Sequence, residues 1–348
     1  MEIETIETNI KNKNKFSIYP YYQLNKLLLL QIIILILFVL FIILISKNKY
    51  IFSNHINNEI IDDTKLNRKR NLYQKIRLLK ILTNNDESEY KGIQECLLND
   101  PDEKLCIYHL ILPKAVVGKK RILLGEKSDG CYVLLDDFEN IKIAYSFGIY
   151  KNIQFDKALA DKGIEVYMYD HTINSLPYQN PKFHWKKLGI CGIGQNYTNM
   201  KNLEELIKEN GHINEKNMIL KMDIEQWEWE SIINLKEETL NQFKYIAIEY
   251  HFKDNSKYNE EYLYYNVIKK ISKTHQAFYA RCNGDRSKKI NFGNNRICHI
   301  IEVCYIIKEN NSFITDESIY PIYEFDYSKP VLGKLEMNLN LLKLFDDF

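Results

Sequence analysis

The hydrophobic pattern begins with a polar stretch, continues as one long apolar run, and then changes to short alternating blocks. Residues Leu27–Ile45 are nineteen positions in a row, of which only Gln31 is polar. At about 1.5 Å per residue, a helix of this length measures roughly 28 Å, close to the hydrocarbon thickness of a bilayer. The pattern predicts a transmembrane helix at 24–46 after a short cytosolic tail at 1–23.

The lysines around this run predict its orientation. Those before it are Lys11, Lys13, Lys15 and Lys26, and those that follow closely are Lys47 and Lys49. An excess of positive charge before the span favours an N-terminus in the cytosol. We therefore expect a single-pass membrane protein that contacts the lipid bilayer through Leu27–Ile45 and has a luminal or extracytoplasmic C-terminal domain.

Residues 47–110 mix asparagine with acids and bases, and this composition predicts a stem. Within it, Leu72, Ile76, Leu79 and Leu82 fall on one face of a short amphipathic helix.

From about Ile111 the chain alternates between strand-like and helix-like blocks, which predicts the fold of a domain at 111–348. The strand candidates are Tyr132–Leu135, Ile141–Phe147, Glu165–Tyr169, His184–Leu188, Met218–Met222, Tyr245–Tyr250, Ala277–Arg281 and Ile300–Ile307. Strands that alternate with helices predict a mainly parallel sheet covered on both faces. The last two candidates have no helix between them, which predicts a terminal antiparallel hairpin. The predicted class is an α/β, Rossmann-like sheet with this hairpin, preceded by one transmembrane helix.

Composition excludes some functions. The 348 residues include 47 Lys+Arg and 46 Asp+Glu, so the net charge of +1 gives no argument for a nucleic-acid partner. The seven cysteines form no Cys-x-x-Cys pair, which argues against a zinc knuckle.

Ligands of open α/β sheets bind at the carboxyl ends of the strands, so the residues that follow each strand are the first candidates. Gly148 follows Ile141–Phe147 and would let the backbone approach a ligand closely. Asp170 and His171 follow the next strand, where an acid can accept hydrogen bonds from ribose hydroxyls. Taken singly, each could also be an ordinary turn or cap residue.

Acids follow two further strands. Asp223 and Glu225 come after Met218–Met222, while Glu249 and His251 end the next strand, so parallel strands would bring the four together along one rim. They could bind a cation, orient a substrate or act as a base. Because charge at strand ends is usually only solvated, the sequence predicts no metal here.

Five blocks together resemble a known family. They are Ser128-Asp129-Gly130-Cys131-Tyr132-Val133-Leu134, Tyr145-Ser146-Phe147-Gly148-Ile149, Val166-Tyr167-Met168-Tyr169-Asp170-His171, Lys221-Met222-Asp223-Ile224-Glu225-Gln226-Trp227-Glu228 and Ile301-Glu302-Val303-Cys304-Tyr305-Ile306. In order and spacing they resemble the methyltransferase-like domain family related to FkbM-type S-adenosylmethionine-dependent methyltransferases, over about 112–308. Members with an N-terminal single-span anchor are known.

The resemblance implies a class I methyltransferase fold, S-adenosylmethionine as cofactor, and a small molecule, glycan or protein as methyl acceptor. It implies that Gly148 lies by the methionine part of the cofactor and Asp170 by the ribose. It assigns Asp129, Gly130, Phe147 and His171 to the same pocket, and Asp223 and Glu225 to the acceptor side. Together with Glu249 and His251, the last two are the predicted catalytic residues.

The chain departs from the family at three positions where glycine is usual, namely Cys131, Tyr150 and Gln226. If these positions require positive φ, each replacement costs roughly 1–2 kcal/mol of backbone strain. Two alternatives therefore stay open. One is a binding module that has lost catalysis, and the other is a type II membrane glycosyltransferase, for which Asp223-x-Glu225 is the nearest metal motif.

Overall fold

A seven-stranded sheet organises the described part of the computed structural model, which covers residues 106–254, 258–283, 289–292, 295–318, 322 and 324–325. The predicted tail, transmembrane helix and amphipathic helix lie outside these residues, as does the predicted stem except for 106–110. The domain predicted from 111 onward contains most of the described chain.

Most of the described strands and helices are short. The strands are β1 Lys114–Val116, β2 Arg121–Leu124, β3 Tyr132–Leu135, β4 Ile143–Phe147, β5 Glu165–Tyr169, β6 Phe183–Lys186, β7 Gly189–Ile190, β8 Met200–Lys201, β9 Met218–Met222, β10 Phe243–His251, β11 His275–Cys282, β12 Lys289–Phe292, β13 Asn295–Cys298, β14 Ile300–Ile307 and β15 Phe313–Thr315. The helices are α1 Gln154–Asp161, α2 Leu203–Glu209, α3 Glu228–Ile233, α4 Glu237–Leu240 and α5 Tyr258–Thr274.

The main sheet is mixed, with the strand order β11-β14-β10-β9-β4-β5-β6. Within this order, β10, β9, β4, β5 and β6 are parallel to one another, whereas β14 is antiparallel to both β10 and β11. From β4 the chain proceeds outward to β5 and β6, and then returns to the other side of β4 with β9 and β10. The order therefore reverses between β4 and β9, and a crevice forms at such a point.

The central strands are buried on both faces, which explains their nearly continuous apolar sequence. Every residue of β4 and β9 is buried. Side chains alternate between the faces of a strand, so Tyr145 and Phe147 join one apolar cluster while Ala144 joins the other. The polar exception in β9 is Lys221, whose side chain is directed to the edge of the sheet at the carboxyl ends.

The predicted fold class is wrong. The described residues form a mixed sheet with few helices, and only α5, with 17 residues, is longer than eight. No helix separates β5 from β6, where Pro177 and Pro181 interrupt helix formation.

The membrane part of the prediction also has to be corrected. Across the described ranges, no helix combines the length and the apolar character that a membrane span requires. The structure therefore gives no support for a single-pass transmembrane protein. The segment predicted to span, Leu27–Ile45, lies outside the described residues.

A disulfide fixes the end of the sheet that carries the antiparallel strands. Cys282 at the end of β11 is bonded to Cys298 at the end of β13, and their Cα atoms are 5.9 Å apart. Cys106 is disulfide-bonded as well, whereas Cys131, Cys191 and Cys304 are free and buried. Disulfides of this kind persist in oxidising compartments.

Candidate functional site

A cavity of about 640 Å³ opens at the carboxyl ends of β4, β5 and β9, at the reversal of strand order. Its size is in the range of small-molecule sites. All six predicted cofactor residues line it, namely Asp129, Gly130, Phe147, Gly148, Asp170 and His171. Of the four predicted catalytic residues, Asp223 and Glu225 line the cavity, and Glu249 and His251 lie behind Asp223.

Gly148 lies where two loops cross at the floor of the cavity. Its φ is +78°, and a Cβ at this position would be 1.6 Å from the backbone oxygen of Asp223. The amide of Asp223 donates to the carbonyl of Phe147 at 3.1 Å, which fixes the same crossing. A glycine is therefore required at position 148 because the backbone of the loop after β9 passes so close to it, whether or not a ligand is bound.

Asp170 holds the loop after β4. Its Oδ2 accepts from the amides of Ile149 and Tyr150 at 2.9 and 2.8 Å, while its Oδ1 accepts from the amide and hydroxyl of Thr172. Burial acts to raise the pKa of the Asp170 carboxyl, but these hydrogen bonds outweigh it and the pKa is lowered. A carboxylate has about four acceptor sites, so the observed role of Asp170 is to organise the loop.

Two of the three unusual positions are strained. Tyr150 has φ +45° and Gln226 has φ +82°, and Glu225 before it has φ +53°. Cys131 is not among the residues with positive φ; its neighbour Gly130, with φ +84°, makes the turn instead. The ring of Tyr150 is 62% exposed, so it lines the rim without filling the cavity.

Asn152 connects the loop after β4 with the turn before β3. Its Nδ2 donates to the carbonyl of Asp129, and its Oδ1 accepts from the amide of Gln154 at 3.0 Å. A Cβ on Gly130 would be 2.7 Å from Asn152 Nδ2, so the glycine permits this contact. These bonds position the wall on which Asp129 lies.

Lys221 is a buried cation beneath the cavity. Its Nζ donates to the carbonyls of Gly148 at 2.5 Å and Phe147 at 3.2 Å, and lies 3.8 Å from Asp223 Oδ2. Asp156, in the first turn of α1, is 2% exposed and also lines the cavity. Burial raises the pKa of Asp156 to about 6, and the charge of Lys221 opposes this rise.

His251, at the end of β10, lies among four carboxylates. Its Nδ1 is 2.8 Å from Glu228 Oε1, and its Nε2 is 3.3 Å from Glu249 Oε1. The same Nε2 is 3.6 Å from Glu225 Oε2 and 3.9 Å from Asp223 Oδ1. The rim predicted from the sequence is thus a cluster of interacting side chains.

The cluster shifts the pKa values of its members. Burial acts to lower the pKa of His251, but the hydrogen bonds and charges of Glu228 and Glu249 raise it to about 11. Burial raises the pKa of Asp223 to about 7; Lys221 opposes this rise and Glu249 adds to it. For Glu249, burial would raise the pKa, but the hydrogen bond and charge of His251 lower it. Asp223 therefore has the pKa of a base that works near neutral pH.

Sequence reasoning missed Lys221, Asn152 and Asp156, which line the cavity. It also missed Asn283, whose Nδ2 donates to Glu249 Oε2 and Asp129 Oδ1 at 3.1 Å. Lys221 is a lysine within a buried strand, which is itself an unusual feature. Asp156 could have been noticed as an acid in the first turn of the helix that borders the predicted site. Glu228, in the first turn of α3, accepts from the amide of Ile224 at 3.1 Å as well as contacting His251.

The comparisons with known proteins leave the function open. No family model matches this chain, and no curated protein matches it. Among solved structures it is similar to one described as "Putative hemolysin from Streptococcus thermophilus", with 10% identity and a TM-score of 0.28, covering 59% of this chain and 68% of that chain. A likeness at this level carries no argument. The comparisons thus give no support for the methyltransferase resemblance, which stays a prediction.

Proposed function

We propose that the cavity binds S-adenosylmethionine and that the protein transfers its methyl group to an oxygen or nitrogen acceptor. One observation carries the proposal, which is the surplus of carboxylates around the cavity. The described lining includes Asp129, Asp156, Asp170, Asp223 and Glu225, against the single cation Lys221. Such a lining favours a ligand that carries positive charge and hydrogen-bond donors.

The first turn of α1 argues against a phosphate-bearing ligand. A helix that follows the first strand commonly offers its N-terminal amides to a phosphate. Here Asp156 occupies that turn, with its carboxylate at the cavity wall. A second negative charge at this place is unfavourable, which disfavours dinucleotides and nucleotide sugars.

The lining also fits the uncharged part of S-adenosylmethionine. Ile149, Ile190 and Met200 supply apolar surface that would cover the adenine, as is usual in ligand pockets. Asp156 is buried at the cavity wall, where burial raises the pKa of its carboxyl, and the charge of Lys221 and the hydrogen bond of Ser146 both act to lower it. The carboxylates beside it would face the cationic groups.

When bound, the cofactor supplies an activated methyl group on a sulfonium. The chain's own contribution is to position the acceptor and to accept its proton. Asp223 suits both roles, because its backbone is fixed against Phe147 and its side chain stays 26% exposed beside the cavity. Lys221 keeps Asp223 oriented from below.

A binding module without catalysis is the second candidate, and the strain at Tyr150 and Gln226 favours it. Such residues replace glycines that the resemblance leads us to expect near a cofactor. The exposed ring of Tyr150 and the open cavity of about 640 Å³ fit both candidates, because a module without catalysis still needs a cavity for its ligand.

Calorimetric titration of the full chain tests the proposal. S-adenosylmethionine and S-adenosylhomocysteine should both bind, whereas NAD⁺ and UDP-glucose should give no heat. Asp156→Asn should weaken binding of S-adenosylhomocysteine about tenfold, since it removes a charged acceptor. The matched control is Asp161→Asn in the same helix, where the exposed carboxylate forms an ion pair with Lys157 and affinity should not change.

Two results would overturn the proposal. The first is the absence of heat with either sulfur ligand, and the second is tighter binding of NAD⁺ or UDP-glucose. Binding without release of S-adenosylhomocysteine in the presence of phenol, carboxylate and peptide acceptors would favour the binding module.

A further inference from the structure

The side chains at the end of β9 and β10 converge on one point beside the cavity. One donor atom from each of Asp223, Glu249 and His251 lies within 4.8 Å of the other two. The His251 Nε2 atom is 3.3 Å from Glu249 Oε1 and 3.9 Å from Asp223 Oδ1. Donors that share one ion with bonds of about 2.0–2.2 Å lie roughly 3–4 Å apart.

The orientation of His251 is fixed from behind. Its Nδ1 contacts Glu228 Oε1 at 2.8 Å, and Glu228 is fully buried. Histidines that bind metals commonly use one nitrogen for the ion and donate the other to a carboxylate. Trp229 Nε1 also donates to the carbonyl of His251 at 3.0 Å, so the backbone of the residue is held as well.

A buried amide fixes the Glu249 carboxylate. Asn283 is 1% exposed, and its Nδ2 donates to Glu249 Oε2 and to Asp129 Oδ1, each at 3.1 Å. Its Oδ1 is buried without a hydrogen-bond partner in the described part of the chain. Rotating the amide would turn this oxygen toward the Glu249 carboxylate, which is repulsive. Asn283 therefore holds Oε2 of Glu249 and leaves its Oε1 to face His251.

The charges of the cluster are unbalanced. Asp223, Glu249 and Glu228 lie around His251, and Glu225 reaches it from the rim. The lysine that faces these four carboxylates is Lys221, and an ion bound at His251 would replace the proton on Nε2, which is released to solvent. Buried carboxylates are costly unless they are paired or bind a metal.

We infer that Asp223, Glu249 and His251 form a binding site for one divalent transition-metal ion, such as Mn²⁺ or Zn²⁺, beside the cavity. One imidazole with two carboxylates suits these ions, whereas Ca²⁺ prefers oxygen ligands alone. An ion at this place would also bind an acceptor oxygen and lower its pKa. That role rests on the proposed function, whereas ion binding does not.

Titration of the full chain with Mn²⁺ tests the inference, after dialysis against a chelator and with free Mn²⁺ followed by electron paramagnetic resonance. The wild-type chain should bind one Mn²⁺, and Zn²⁺ should compete for it. Asp223→Asn and Glu249→Gln should each weaken binding about 100-fold. The matched control is Glu165→Gln, because Glu165 Oε2 contacts His184 Nε2 at 2.8 Å in an exposed pair at the start of β5, and it should leave binding unchanged.

A measurement on the wild type covers the case in which a variant does not fold. Pulsed electron paramagnetic resonance of bound Mn²⁺ should show coupling to one imidazole nitrogen. Failure of the wild-type chain to bind Mn²⁺ or Zn²⁺, the absence of nitrogen coupling, or equal affinity in folded Asp223→Asn and Glu165→Gln chains would overturn the inference.

Discussion

The two ends of the main sheet treat buried polar groups in opposite ways. At the carboxyl ends, His251 faces four carboxylates. Burial acts to lower the pKa of His251, but Glu228 and Glu249 outweigh it and raise the pKa to about 11. At the amino ends, His275 has neutral hydrogen-bond partners: its Nδ1 is 2.7 Å from Thr274 Oγ1, and its Nε2 donates to the carbonyl of Phe243 at 2.9 Å. The nearby charge of Lys308 is positive. Burial lowers the pKa of His275 to about 4.

Other side chains follow the same division. Gln242, at the amino end, donates through Nε2 to the backbone carbonyls of His212, Ile213 and Glu215, and so closes a loop. At the carboxyl end, Asp223 and Glu225 keep unmatched charge, and Tyr150 and Gln226 have positive φ. The residues with positive φ before β4 and β9 are asparagines, Asn140 and Asn217, which adopt this conformation more readily. Strain and perturbed charge concentrate at functional sites. The comparison therefore assigns stability to the amino ends and function to the carboxyl ends.

The largest expected effect concerns the crossing at Gly148. Gly148→Ala should lower the free energy of unfolding by about 3–5 kcal/mol, because its Cβ would overlap the carbonyl of Asp223 and its φ is positive. Gly163→Ala is the matched control, since Gly163 has φ +89° with no atom near its Cβ position, and should cost only about 1–2 kcal/mol. Equal losses in urea denaturation would show that the crossing is not tight.

Low pH should reduce the free energy of unfolding through His275, at the amino ends of the strands. The pKa of His275 is about 4 in the fold and 6.5 as the ordinary value, so the unfolded chain binds the extra proton between these limits. The contribution of this residue is therefore present above pH 6.5, and about 3 kcal/mol is lost as the pH falls to 4. His251, whose pKa is raised, contributes below pH 6.5 and loses its contribution as the pH rises toward 11.

His275→Gln separates this effect from the titration of other groups, since its amide can still donate to Phe243. The difference in unfolding free energy between wild type and variant should shrink from pH 7 to pH 4. A difference that stays constant over this range would mean that His275 is not a buried neutral histidine.

Catalysis should depend on the carboxyl ends. Asp223→Asn should slow methyl transfer about 100-fold, measured as release of S-adenosylhomocysteine, with little change in cofactor binding. Asp223 does not cap the helix that follows it, because α3 has Trp227 at its N-cap without a side-chain cap. Wild-type turnover in the folded variant would remove Asp223 from catalysis.

The smallest expected effect concerns backbone strain. Tyr150→Gly should raise the free energy of unfolding by about 0.5–1 kcal/mol, because φ +45° is unfavourable for tyrosine and the exposed ring loses little packing. Tyr178→Gly, at another exposed tyrosine that is not among the residues with positive φ, should lower it instead. Thermal unfolding of the two variants gives the comparison, and a loss of stability in both would show that Tyr150 is not strained.

The sequence identified strands better than it identified the layers around them. Tyr132–Leu135 and Met218–Met222 were predicted with the observed bounds, because buried strands are short apolar runs between turns. The strand at His184–Leu188 begins one residue earlier, at Phe183, and ends at Lys186. The pair β12 and β13 was missed, since its apolar pattern is short and depends on pairing for its stability.

The sequence predicted only those site residues that directly follow the strands of the sheet. Gly148, Asp170 and Asp223 line one cavity because the carboxyl ends of neighbouring parallel strands meet. The contacts of His251 with Glu228 and of Asn283 with Glu249 join distant parts of the chain, and no local spacing predicts them. The saturation of Asp170 by backbone amides likewise depends on how the loop after β4 folds back.

Hydrogen exchange of the full chain, with and without S-adenosylhomocysteine, tests the division between the two ends most directly. The account predicts slower exchange in peptides that contain 147–152, 169–172 and 221–225, and unchanged exchange at 242–245 and 275–277. Unchanged exchange at the carboxyl ends, or protection confined to the amino ends, would contradict it.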